Sequence, residues 1–181
     1  QEQTHLRLND IKNRVTADPT NPAAWQTQFE EEALKVKDDV RKLSQNPGVL
    51  AHYENHWSSW YPTLNQQVFE KGRAQLVQNF SGDLVRQTNN YMDRIAAEPD
   101  ELVVAKLKGD YFGMIAGGER AMLIHPDKAE QLRQGFDQQI LLRKAQEDVK
   151  TDPLGAAIRL QDHKANYPGI DAHQAGILQG E

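Results

Sequence analysis

His52 and His56 stand four residues apart in a stretch of helical character, a spacing that brings two imidazoles to one helix face and that zinc sites use. Glu54 falls between them at the wrong place for a His-Glu-x-x-His arrangement and no third ligand follows, so helix histidines beside Trp57 are the better reading. The run Gly113-Met114-Ile115-Ala116-Gly117-Gly118 has the composition of a phosphate-cradling loop. It lacks both the preceding strand and a following Gly-Lys-Ser/Thr, and reads instead as a flexible joint between helices. Carboxylates are plentiful, and a glycosidase needs two across a cleft. Glu30, Glu31, Asp38, Asp39 and Glu147, however, lie among polar residues on faces that helical spacing sends to solvent, where nothing shifts a carboxyl toward acid catalysis. No serine sits in a Gly-x-Ser-x-Gly elbow. No residue is therefore assigned a catalytic, cofactor-binding or metal-ligating role, and no cofactor is expected.

The densest aromatic group is Trp25, Trp57, Trp60 and Tyr61. Exposed, it would be a hot spot for a partner; buried, it would be the core where two helices meet. Core is favoured, because these residues lie on or beside apolar stripes of helical period. Together with Phe29, Leu64, Leu76 and Phe80 they form the candidate seam for core packing or interaction.

The elements that carry this seam are helices. Tyr53, Trp57, Trp60, Leu64, Val68, Gly72, Leu76, Phe80, Leu84, Thr88, Tyr91 and Ile95 form one stripe, eleven steps over 42 residues with a mean near 3.8. The stripe predicts one long helix over residues 48–97, which if straight would reach about 75 Å. A mean above 3.6 makes the seam drift unless its partners coil right-handedly or Pro62 resets the phase. Ahead of it, Leu8, Ile11 and Val15 predict a short helix ended by Asp18-Pro19, and Asn21-Pro22 reads as a cap with proline at the first helical position. Trp25, Phe29, Ala33, Val36, Val40 and Leu43 make a second helix, and Ser44-Gln45-Asn46-Pro47-Gly48 turns the chain back so that the long helix runs antiparallel to it.

Beyond the long helix, Glu98-Pro99-Asp100 opens a helix through Leu107, and the glycines at 109, 117 and 118 leave residues 109–124 open between two short helices and one irregular one. His125-Pro126-Asp127 starts a strong helix to Thr151, Asp152-Pro153 starts a short one, and Asp171 caps a last one after Asn166-Tyr167-Pro168-Gly169. The fold class is all-α: an elongated helical bundle or hairpin array around the long helix. A helical hairpin with the long helix over residues 1–98 and shorter helices over 99–181 would pack as one continuous module.

Composition narrows the function. A net charge of -5, spread without like-charge blocks and without a basic, aromatic-interleaved stripe, argues against direct nucleic-acid binding. The chain has no cysteine, which excludes disulfides and thiol catalysis. No apolar run approaches the roughly 18 residues of a transmembrane span. Hydrophobic content of 38% suits thin bundles better than a thick globular core. Starting at Gln1 and stopping at Glu181 without a tail signature, the chain is expected to be part of something larger.

The order of several stretches resembles the helical regions of large internal virion (ejection) proteins and tail-associated proteins of tailed bacteriophages, of the kind that carry a lytic transglycosylase domain elsewhere. The stretches are Asn21-Pro22-Ala23-Ala24-Trp25, Arg94-Ile95-Ala96-Ala97-Glu98-Pro99, Gly109-Asp110, His125-Pro126-Asp127-Lys128-Ala129-Glu130-Gln131-Leu132-Arg133, Asp152-Pro153-Leu154-Gly155-Ala156-Ala157 and Tyr167-Pro168-Gly169-Ile170-Asp171. The Gly117-Gly118 pair departs from the pattern, where such proteins continue a helix. The resemblance implies a structural role in the phage particle, with copies of the chain and other virion proteins as partners. It also implies assistance to genome ejection and delivery into the host envelope on infection, and it carries no catalytic residue over. Two other readings stay open: a spacer or positioning module of a cell-wall hydrolase, and a helical protein-binding adaptor or effector.

Overall fold

Proline joints separate most of the helices in the computed structural model, which describes residues 2–180. In chain order come α1 (Glu2–Val15), α2 (Trp25–Leu43), α3 (Pro47–Ala97), α4 (Glu101–Arg120), α5 (Pro126–Thr151), α6 (Pro153–Gln161), α7 (His163–Asn166) and α8 (Ala172–Gly180). No strand occurs among the described residues, so the chain is all-α and built around one long helix, as its stripe predicts. Two compact units divide it, Gln1–Asn79 and Phe80–Glu181. The division falls inside α3, whereas the sequence reading set it after residue 98. The stripe of α3 is used twice, its first part against α1 and α2 and its later part against α4 and α5.

The first unit is a three-helix bundle. Leu8, Ile11 and Val15 from α1 and Trp25, Phe29, Ala33 and Val36 from α2 bury against Tyr53, Trp57, Leu64 and Val68 of α3. Polar ties fix the directions. Arg41 Nη2 donates to Glu54 at 2.7 Å and Asn65 Nδ2 to Glu30 at 3.1 Å, so α2 and α3 run antiparallel as expected. Lys12 Nζ reaches Gln67 at 3.0 Å and Lys71 Nζ reaches Thr16 at 2.8 Å, so α1 and α3 run parallel. Asn21 does not provide the cap that its position suggests: its side chain bonds no backbone N–H, and Pro22–Ala24 form one 3-10 turn before α2 begins at Trp25. Tertiary contacts hold this corner instead. Trp25 Nε1 donates to the Asp18 carbonyl at 3.0 Å, and a Cβ at Gly72 would stand 3.1 Å from the Pro22 carbonyl oxygen. Asn46 is the cap that forms, its Oδ1 accepting from Gly48 N at 2.9 Å at the start of α3. Pro62 lies on the exposed face of α3, and the helix continues past it.

The second unit repeats the up-down-up order with the later part of α3, then α4 and α5. Thr88 Oγ1 donates to the Tyr111 hydroxyl at 3.3 Å, Lys108 Nζ lies 2.6 Å from Asp137, and Arg143 Nη2 donates to Asn89 at 2.8 Å. The stretch left open between one helix and two is a single continuous helix, α4, from Glu101 to Arg120. Its glycines cost propensity, but Leu107, Tyr111 and Ile115 pin one face in the core, and tertiary burial outweighs propensity. Gly118 belongs to that face: a Cβ there would lie 2.2 Å from Phe80 Cζ, so only glycine lets the ring approach. The end of α4 is a Schellman turn, with Leu123 N bonded to Gly118 O at 2.8 Å and Met122 N to Glu119 O at 2.9 Å. Met122 takes the left-handed position, φ 54°, that glycine normally fills.

Proline at the first position and a side-chain cap start α5 and α6. His125 Nδ1 accepts from Asp127 N at 3.3 Å, and Asp152 Oδ1 accepts from Gly155 N at 3.0 Å. Asp171 and Gln174 close a reciprocal capping box at α8, at 2.7 and 3.1 Å, as Asp171 was expected to do. The helices α6 and α8 fold onto the second half of α5 around a cluster of their own: Ala145, Leu160, Tyr167, Ile170, Ala175 and Leu178.

Candidate functional site

The eight seam candidates do not converge on one place. Trp25, Phe29, Trp57 and Leu64 are buried in the first unit, and Tyr61 is half-buried against them. Trp57 stacks on Tyr61 with ring centroids 5.2 Å apart, and Phe29 stacks on Tyr61 at 6.1 Å. This column is the centre of the bundle, with the flat, offset geometry that aromatic quadrupoles prefer. Lys37 Nζ closes its edge 5.3 Å from the Trp57 ring and also ion-pairs with Glu54 at 3.0 Å. Leu76 is half-buried in the first unit, while Phe80 is half-buried in the second, against Gly118. Trp60 turns to the flank, where its ring meets His56 at 4.9 Å and His5 at 5.2 Å.

The histidine pair lies on that same flank. His52 and His56 meet edge to face at 4.6 Å, and His56 stacks on Trp60. Among the described residues no group of three or more His, Cys, Asp or Glu is arranged to hold a metal ion. Residues 113–118 lie inside α4, where their backbone N–H groups are committed to helix bonds and cannot cradle a phosphate.

Carboxylates work as ties between helices. Glu54 takes Lys37 and Arg41, Glu32 takes Arg14, and Asp39 takes Arg7 at 3.6 Å. Hydrogen bonds from Lys37 first and Arg41 second hold the Glu54 carboxyl below the usual glutamate range. An open groove of about 640 Å³ runs between α1 and α2, lined by Leu6, Arg7, Asp10, Ile11, Lys35 and Val36 among others. Its arginines are paired with Asp39 and Glu32, so it presents no field of one sign.

Three buried tyrosines, Tyr53, Tyr111 and Tyr167, were not among the candidates. Tyr53, on the stripe, packs 6.0 Å from Trp57, and its buried hydroxyl finds no hydrogen-bond partner. Burial, with the Glu54 charge adding to it, pushes its pKa up to about 12. Tyr111 is the fully buried hub of the second unit, stacked on Phe136 at 3.9 Å with Tyr91 at 5.8 Å and Phe112 at 5.7 Å. Burial raises its pKa, opposed by the hydrogen bond from Thr88. The four-residue spacing of Leu107, Tyr111 and Ile115 was the available signal, and the surrounding glycines obscured it. The arrangement as a whole joins helices: its aromatic and charged groups meet each other. Compared with family models, curated proteins and solved structures, the chain matches none.

Proposed function

We propose that the chain is a non-enzymatic structural segment, a helical spacer that holds or positions other parts of a larger protein. The observation that supports this best is the use made of the α3 stripe. All twelve of its members are buried or half-buried, and in each unit helices of this same chain supply the partners. A seam filled from within needs no second copy to complete it. The groups best suited to chemistry, Trp57, Glu54 and Tyr111, are engaged in packing or in ties between helices.

The setting we propose is a tailed-phage virion protein, and its support is the order of sequence motifs. There the segment would pack beside other virion proteins and assist genome ejection. The filled seam favours the spacer among the alternatives, whether its parent is a virion protein or a cell-wall hydrolase. Light scattering across a tenfold concentration range tests the spacer reading. A constant monomer mass is the expected result, and a stable oligomer would replace it with self-assembly. The adjoining coding sequence tests the setting: further virion or transglycosylase domains are expected, and an unrelated cellular enzyme would overturn it.

A further inference from the structure

The α3 helix is pinned at both ends and only thinly covered in between. Tyr53, Trp57, Leu64 and Val68 bury it in the first unit, and Leu84, Met92 and Ile95 bury it in the second. From 73 to 83 no residue is buried: Gln75, Leu76, Val77 and Phe80 are half-covered and the rest are exposed. A helix in a folded protein draws most of its stability from a buried face, so this stretch leans more on its own propensity than the turns on either side of it do. That propensity is poor. Asn79, Ser81, Gly82 and Asp83 are weak helix formers, with glycine the weakest of ordinary residues after proline. No packing requires the glycine, because a Cβ at Gly82 would meet nothing within 4 Å.

Two side-chain ties reach into this stretch, one from each unit. Asn79 Nδ2 donates to the Pro19 carbonyl at 3.1 Å within the first unit, and the Phe80 ring sits on Gly118 within the second. The boundary between the two units falls between these neighbouring residues. We propose that residues 73–83 of α3 are a melting joint, where the helix opens and recloses while both bundles stay folded. A spacer with such a joint yields under load instead of transmitting it. The inference goes beyond the spacer reading and rests on the chain alone, whatever its parent protein.

Amide hydrogen exchange on the full chain tests it. Protection within 73–83 is expected to be at least about tenfold lower than within 57–68 and 88–95 of the same helix, since local opening costs less than unfolding a bundle. Replacing Gly82→Ala should slow exchange within 73–83 by about four- to fivefold, the glycine-to-alanine difference in helix propensity. It should leave the amides around Phe29 and Tyr111 unchanged. Uniform protection along α3, or a Gly82→Ala effect shared equally by both bundles, would mean that 73–83 opens only with global unfolding and would overturn the joint.

Discussion

Removing one oxygen from Tyr53 should help this protein. The ring fills the core beside Trp57 while the hydroxyl is buried without a partner, so Tyr53→Phe keeps the packing and deletes an unmet polar group. A gain of about 1 kcal/mol in urea melts is expected. The same hydroxyl sets an alkaline limit. With its pKa raised from 10.0 to about 12, the unfolded chain ionises first, and stability should fall as pH rises from 10 through 12. Tyr53→Phe should flatten that decline. Glu54 acts at the other end of the scale: its lowered pKa stabilises the fold above the ordinary glutamate value of about 4.3, and the gain is lost as pH falls through the folded value. Melting followed from neutral to acid pH should show a shallower acid decline in Glu54→Gln. At Gly118 the constraint is steric. Gly118→Ala should cost about 1–3 kcal/mol as the new methyl displaces Phe80, and adding Phe80→Leu should recover part of it.

At the scale of elements, the turn closing α4 is open to improvement. Met122 is 65% exposed and holds φ 54°, so Met122→Gly sacrifices little packing and relieves a left-handed conformation, for an expected gain of about 1 kcal/mol in thermal melts. Much at this scale was legible in the sequence. The helix starts at Pro126, Pro153 and Ala172 follow from proline and cap chemistry, and the stripe from Tyr53 to Ile95 gives α3 its length. Where reading failed, a tertiary contact had overruled a local preference. Asn21 has the composition of a cap, yet Trp25 bonding to Asp18 and Pro22 pressing on Gly72 set the corner. The glycines of α4 argued for a break, yet one of them makes room for Phe80 and the helix runs on. The aromatic group was legible as core through its period, but period cannot say which way a ring on the edge of a stripe turns. Trp60 therefore went to the flank with the histidines.

For the whole molecule, the boundary inside α3 escaped sequence reading because the stripe continues through it: Leu76, Phe80 and Leu84 keep one four-residue rhythm while the partners change. Since every buried residue of the first core lies within Gln1–Asn79, a fragment ending at residue 79 should melt cooperatively in circular dichroism. A broad, featureless melt would show that the bundle depends on the rest of the chain. The parallel pairing of α1 with α3 also dictates an order of events during synthesis. Lys12 meets Gln67 and Thr16 meets Lys71, each across 55 residues, so at about 5–20 residues per second the N-terminal helix waits roughly 3–11 s for its partner to be translated. By then the ribosome is about to extend the same helix into Phe80, Leu84 and Ile95, whose own partners, α4 and α5, are not yet made. Completing the first bundle thus leaves the nascent chain displaying the apolar side of the second, and translation must run on through α5 before that side is covered.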